Sequence, residues 1–108
     1  MDELKTKTYV FDLDQTLCVT PEDINGDPSY KNSTPILERI EKVNKLYGEG
    51  NKIIIDTARG SSSGIDYYEL TYRQLKEWGL KFHTLRTGMK FPSDYYIDDK
   101  AINHKDFF

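Results

Sequence analysis

The chain has 108 residues, one Cys, 37% hydrophobic content and a formal net charge of −3, from 15 Lys plus Arg against 18 Asp plus Glu. That length predicts a single domain over residues 1–108, and the acidic balance supplies no global positive field, so neither a nucleic acid nor an anionic membrane is an expected partner. No apolar run approaches the roughly 20 residues that cross a bilayer, Met1-Asp2-Glu3-Leu4-Lys5 lacks the order of a signal peptide, and the lone Cys18 excludes a disulfide framework; a cytoplasmic protein is expected.

Thr8-Tyr9-Val10-Phe11 reads as a first strand, β-rich and broken off by the two acids of Asp12-Leu13-Asp14. From Thr20 to Pro35 the residues Pro21, Asn25, Gly26, Asp27, Pro28, Asn32 and Ser33 predict a surface loop or flap. Thr34 then reads as a helix N-cap with Pro35 in the first turn, and the apolar spacing of Ile36, Leu37, Ile40, Val43, Leu46 and Tyr47 predicts a helix that ends at Gly48 and Gly50. Lys52 to Ile55 is a second strand, with an unbroken Ile triplet suited to burial on both faces, followed by Asp56-Thr57. Asp66 with Glu69 resembles a capping box for a second helix ending at Gly79. A weak third strand is expected in Phe82–Leu85 and a fourth in Asp94–Ile97, which runs into Asp98-Asp99. Strands alternating with helices predict an α/β, Rossmann-like three-layer sandwich around a small, mostly parallel sheet.

In such a sheet, ligands bind beyond the carboxyl ends of the strands, so Asp12, Asp14, Thr57, Asp98 and Asp99 are expected to converge on one crevice. Four carboxylates gathered there repel one another unless a cation is present. Hard oxygen donors favour Mg²⁺ or Ca²⁺ over zinc, and few carboxylates leave room for water and a phosphate oxygen, the usual Mg²⁺ arrangement. Each signal alone has an ordinary reading. Asp-x-Asp after a strand is commonly a turn, Thr57 can be a cap, Asp98-Asp99 a solvated strand end and Lys90 a surface lysine. Arg59 can reach a substrate anion or form a salt bridge. Tyr67, Tyr68, Tyr72 and Trp78, at near-helical spacing, suit the core or a subunit contact, and a core this small makes a homo-oligomer a fair expectation.

Val10-Phe11-Asp12-Leu13-Asp14-Gln15-Thr16-Leu17 resembles the DxDxT signature of the haloacid dehalogenase superfamily, Ile53-Ile54-Ile55-Asp56-Thr57 its second motif, and Tyr96-Ile97-Asp98-Asp99 its fourth. Thr57-Ala58-Arg59-Gly60 and the run from Lys90 to Ile102 are similar to small capless members encoded near capsule and surface-polysaccharide genes. The sequence departs from the family at Gln15, where Gly is commoner, and around Gly88-Met89-Lys90-Phe91-Pro92. The resemblance implies a Mg²⁺-dependent phosphatase with no room for a cap, acting on a small phosphorylated metabolite such as a sugar phosphate. Asp12 is then the nucleophile and Asp14 the acid and base, with its backbone carbonyl on the metal. Thr57 and Lys90 contact the phosphoryl group, Arg59 is a candidate substrate contact, and Asp98 and Asp99 complete the metal site. Lys90 precedes Asp98 by eight residues, as the family pattern suggests, with Lys81 as the alternative lysine. Rival expectations are a catalytically silent phosphate-binding module, a phosphatase of a macromolecular phosphoester, and transfer to an acceptor other than water.

Overall fold

In the computed structural model, which describes residues 5–108, the elements run β1 (Thr8–Phe11), β2 (Cys18–Val19), β3 (Thr34–Pro35), α1 (Leu37–Gly48), β4 (Lys52–Thr57), α2 (Tyr68–Glu77), β5 (Thr84–Thr87) and α3 (His104–Phe107). The expected α/β, Rossmann-like class is present. β1, β4 and β5 form one parallel sheet in that order, with Tyr9 beside Ile53, Phe11 beside Ile55, and Ile55 beside Leu85.

That register aligns apolar side chains on one face. Phe11, Ile53, Ile55 and Leu85 are buried together with Ile40 and Val43 of α1 and Leu75 of α2. Both crossover helices therefore cover the same face, and each fully buried aliphatic side chain contributes about 1.5–3 kcal/mol. The opposite face carries Val10, which is 61% exposed, so two layers of the sandwich are filled among the described residues. Beside α1 the chain end closes the core. Phe107 packs edge-on to Tyr9 and Phe11, and Lys42 lies over the Phe107 ring at 4.3 Å. No helix of the described residues is long and apolar enough to cross a membrane.

Several boundaries differ from expectation. Thr34 and Pro35 do not start the helix; they pair antiparallel with Val19 and Cys18, and α1 begins after Ile36, whose N–H donates to the Leu17 carbonyl at 2.9 Å. The turn-rich loop between β2 and β3 is thus the tip of a hairpin, cross-linked by a bridge between Glu22 and Pro28. β4 extends through Thr57, placing Asp56 and Thr57 inside the strand. The third strand lies two residues beyond its expected start, because His83 is occupied in bonding Ile53 through both its main-chain N–H and its ring Nδ1. Asp66 caps α2 through the Tyr68 N–H at 2.9 Å, without the expected reciprocal box. Tyr68 and Tyr72 stack on one another at the surface, and Trp78 is partly buried against the core.

The fourth strand is the main correction, since Asp94–Ile97 is irregular and Ile97 is 97% exposed. Parallel pairing needs a crossover of about a dozen residues or more. Only residues 88–93 separate the end of β5 from Asp94. β1 remains the edge of the sheet.

Beyond β4 the chain turns sharply at Gly60, whose φ is +89°; a Cβ there would lie 2.2 Å from the Ile65 carbonyl oxygen. Gly60→Ala is expected to destabilise the protein by about 2 kcal/mol or more, read as the shift in urea midpoint at constant m-value.

Candidate functional site

The carboxyl ends of β1 and β4 meet at a pocket of about 310 Å³ lined by Asp12, Asp14, Thr57 and Arg59 on one side and Thr20, Glu22 and Tyr30 of the hairpin on the other. Asp12 follows the last residue of β1 directly, so the strand delivers it to the sheet edge. Its Oδ2 accepts from the Thr16 hydroxyl at 3.2 Å, and its Oδ1 is 3.3 Å from the Lys90 ammonium. Lys90 is thereby the lysine brought to Asp12. Lys81 precedes β5, at the opposite end of the parallel sheet, with its side chain exposed.

Between Asp12 and Cys18 the backbone makes a tight turn in which Leu13 O accepts from the N–H groups of Thr16 and Leu17. Gln15 occupies left-handed backbone at φ 64°, a conformation that glycine adopts most readily. Its amide bonds across the turn, Nε2 donating to Thr20 O at 2.8 Å.

Asp14 is held by Arg59. Nε and Nη2 of the guanidinium bond Oδ1 at 3.2 and 2.8 Å, and Nε reaches Oδ2 at 3.0 Å. Oδ1 also accepts from the Thr20 hydroxyl and, at 3.6 Å, from the Cys18 thiol. Among the described residues Oδ2 accepts from Arg59 alone. Arg59 itself is 1% exposed. Nη1 donates to Thr71 Oγ1 at 3.1 Å and Gln74 Oε1 at 2.6 Å, Nη2 also to Ser33 Oγ at 3.1 Å, and the plane lies over the Tyr30 ring at 4.7 Å. All five guanidinium donors are spent inside the protein. The expected contact of Arg59 with substrate is therefore corrected: it fastens Asp14 to α2 and to the hairpin. Thr71, Gln74, Ser33 and Tyr30, the cage around it, went unrecognised in the sequence, because ordinary polar residues spread over forty positions give no local signal.

Thr57 is buried at the end of β4, and its Oγ1 accepts from the Arg59 N–H at 3.3 Å, leaving its own hydroxyl proton available to the pocket. Asp98 and Asp99 are exposed. They share a hydrogen bond that holds Asp98 below the ordinary carboxylate range and pushes Asp99 above it. Asp98 lines a second groove, about 690 Å³, that runs along the free edge of β1 and includes Asp12 and Lys90. The expected convergence of four carboxylates is not formed: among the described residues no three His, Cys, Asp or Glu side chains gather as a metal site. The undocked fourth strand is the reason, since it was to deliver Asp98 and Asp99.

Burial, followed by the charge of Asp14, pushes the Cys18 thiol up to about 11. The same two causes raise the Tyr30 phenol.

No family model and no curated protein matches the chain. Among solved structures, a crystal structure from Vibrio cholerae described only as an MCSG target is similar in fold, with a TM-score of 0.77 and 25% identity, covering 94% of this chain and 87% of that one.

Two outcomes test this site. Arg59→Met leaves the largely buried Asp14 carboxylate without its cation and is expected to cost about 3–5 kcal/mol, with less than additive loss in the Asp14→Asn/Arg59→Met double variant by chemical denaturation. For Cys18 the folded thiol ionises near 11 and the unfolded one near 9.0. Its contribution to stability is therefore present below pH 9 and is lost as pH rises toward 11. Iodoacetamide at pH 7 is expected to alkylate it quickly only after denaturation.

Proposed function

We propose that the protein is a capless phosphatase of the haloacid dehalogenase type, using Mg²⁺ to hydrolyse a small phosphomonoester, foremost a sugar phosphate, through an aspartyl-phosphate. One observation carries the reading: Asp12 stands at the carboxyl end of β1, where it lines one pocket with Asp14 and Thr57 and the neighbouring groove with Lys90, whose ammonium is 3.3 Å from its carboxylate.

Asp12 attacks phosphorus through a carboxylate oxygen, and the bond from phosphorus to the leaving oxygen breaks as the aspartyl-phosphate forms. Asp14 enters the cycle protonated on Oδ2, the oxygen with hydrogen-bonding capacity to spare, and gives that proton to the leaving oxygen. It next takes a proton from the water that attacks the phosphoryl group, which releases inorganic phosphate and restores Asp12. Lys90 supplies fixed positive charge beside the nucleophile, and the Thr57 hydroxyl donates to a phosphoryl oxygen. Asp14 can be placed this accurately because Arg59 holds it from inside the core.

The donor set suits Mg²⁺, being all oxygen, and Asp12 and Asp98 line one groove. One or two carboxylates, completed by water and phosphate oxygens, are what this ion ordinarily takes. Asp12 and Asp98 would hold it with the Asp14 carbonyl, Asp99 supporting them, and it would neutralise charge between carboxylate and phosphate. A second reading, a phosphate-binding module without turnover, is favoured by the lack of a gathered carboxylate cluster among the described residues.

Phosphate release from an aryl phosphate and a panel of sugar phosphates separates the two. The expected result is release that requires Mg²⁺, is abolished by chelator and by Asp12→Asn, and falls roughly 10²- to 10³-fold in Lys90→Ala. Binding of Mg²⁺ and phosphate with no release from any substrate supports the binding module.

A further inference from the structure

Glu22 lines the same pocket as Asp12 and Asp14, yet differs from both in charge balance. Asp12 is paired with Lys90 and Asp14 with Arg59. Glu22 is exposed and forms no salt bridge among the described residues, so it is the uncompensated carboxylate of the pocket wall.

Its position is set by the hairpin and not by a free loop. The Glu22–Pro28 bridge is flanked by the Ser29 N–H donating to Pro21 O at 2.8 Å, and the tip is closed by Asp23 Oδ1, which accepts from the N–H groups of Asn25 and Asp27. At the base, Gln74 of α2 donates to Tyr30 O at 2.7 Å. The backbone that carries Glu22 is therefore fixed before a ligand arrives, and binding has to order only its carboxylate side chain. It accepts hydrogen bonds from hydroxyl or ammonium groups and repels a second anion. The volume, about 310 Å³, lies at the small end of ligand pockets.

We propose that Glu22 is a specificity-determining residue, selecting phosphomonoesters whose leaving group carries hydroxyl or amino groups and rejecting those that bear a second negative charge. This rests on the phosphatase reading above.

The test compares kcat/KM of the full chain with Mg²⁺ for glycerol 3-phosphate and 3-phosphoglycerate, which share three carbons and a phosphate but differ by a hydroxymethyl against a carboxylate. An aryl phosphate is run beside them. The wild type is expected to favour glycerol 3-phosphate by about tenfold or more, Glu22→Gln to narrow that ratio to about threefold, and Glu22→Lys to reverse it. A wild-type ratio near one, or a ratio that Glu22→Lys leaves unmoved, overturns the proposal. So does turnover of the aryl phosphate with neither three-carbon probe, which leaves the phosphatase reading standing. No turnover of any of the three overturns that reading, and the specificity role with it.

Discussion

A guanidinium buried to 1% exposure in a chain this small is the constraint around which the other parts are arranged. Removing such a charge from water costs several kcal/mol unless every donor is matched, and here the match requires three separate regions. Asp14 comes from the turn after β1, Ser33 from the foot of the hairpin, and Thr71 and Gln74 from α2, with the Tyr30 ring against the guanidinium face. The hairpin, the second helix and the first strand are therefore locked by one side chain. The geometry of Asp14 is a property of the core, and loss of that geometry and loss of stability are coupled.

The sheet register makes the complementary contribution. Asp12 and Asp56 each follow a paired residue, Phe11 and Ile55, and so stand at the same level of the sheet. Asp56 is neutralised by Arg86 on the neighbouring strand, at 2.7 Å, while Asp12 faces Lys90 from the segment beyond β5. Two adjacent carboxylates thus have different surroundings: Asp56 is 13% exposed in a strand-to-strand ion pair, and Asp12, beside Lys90, is 41% exposed. The turn that follows Asp12 tolerates Gln15 in left-handed backbone because its amide bonds back to Thr20, which offsets part of a conformational cost of about 1–2 kcal/mol.

The free edge of β1 borders the groove that Asp12 and Asp98 both line. Tyr96, Ile97 and Asp98 line the groove beside this edge without pairing to it. The pattern of Asp94–Ile97 reads as a strand because it is β-rich and ends in acids, but pairing depends on where the preceding chain can deliver it, and the connection from β5 is short. A local pattern carries no information about that distance.

Much of the molecule was legible because it depends on near-neighbour spacing. The first strand, the period of Ile40 and Val43, the Gly stop after α1, and the strand-terminal Asp12 and Thr57 all follow from residues within a turn or two of each other. The choice of Lys90 beside Asp12 came from motif spacing and agrees with the contact found. Tertiary structure alone decided that Arg59 turns inward, that Thr34 and Pro35 pair with β2, and that Glu22 reaches the pocket. Each of these outcomes balances desolvation or a missing backbone partner against groups many residues away. The sequence by itself determined which chemistry the chain can present at the ends of its strands; packing decided which of those groups are consumed in holding the fold and which remain to meet a ligand.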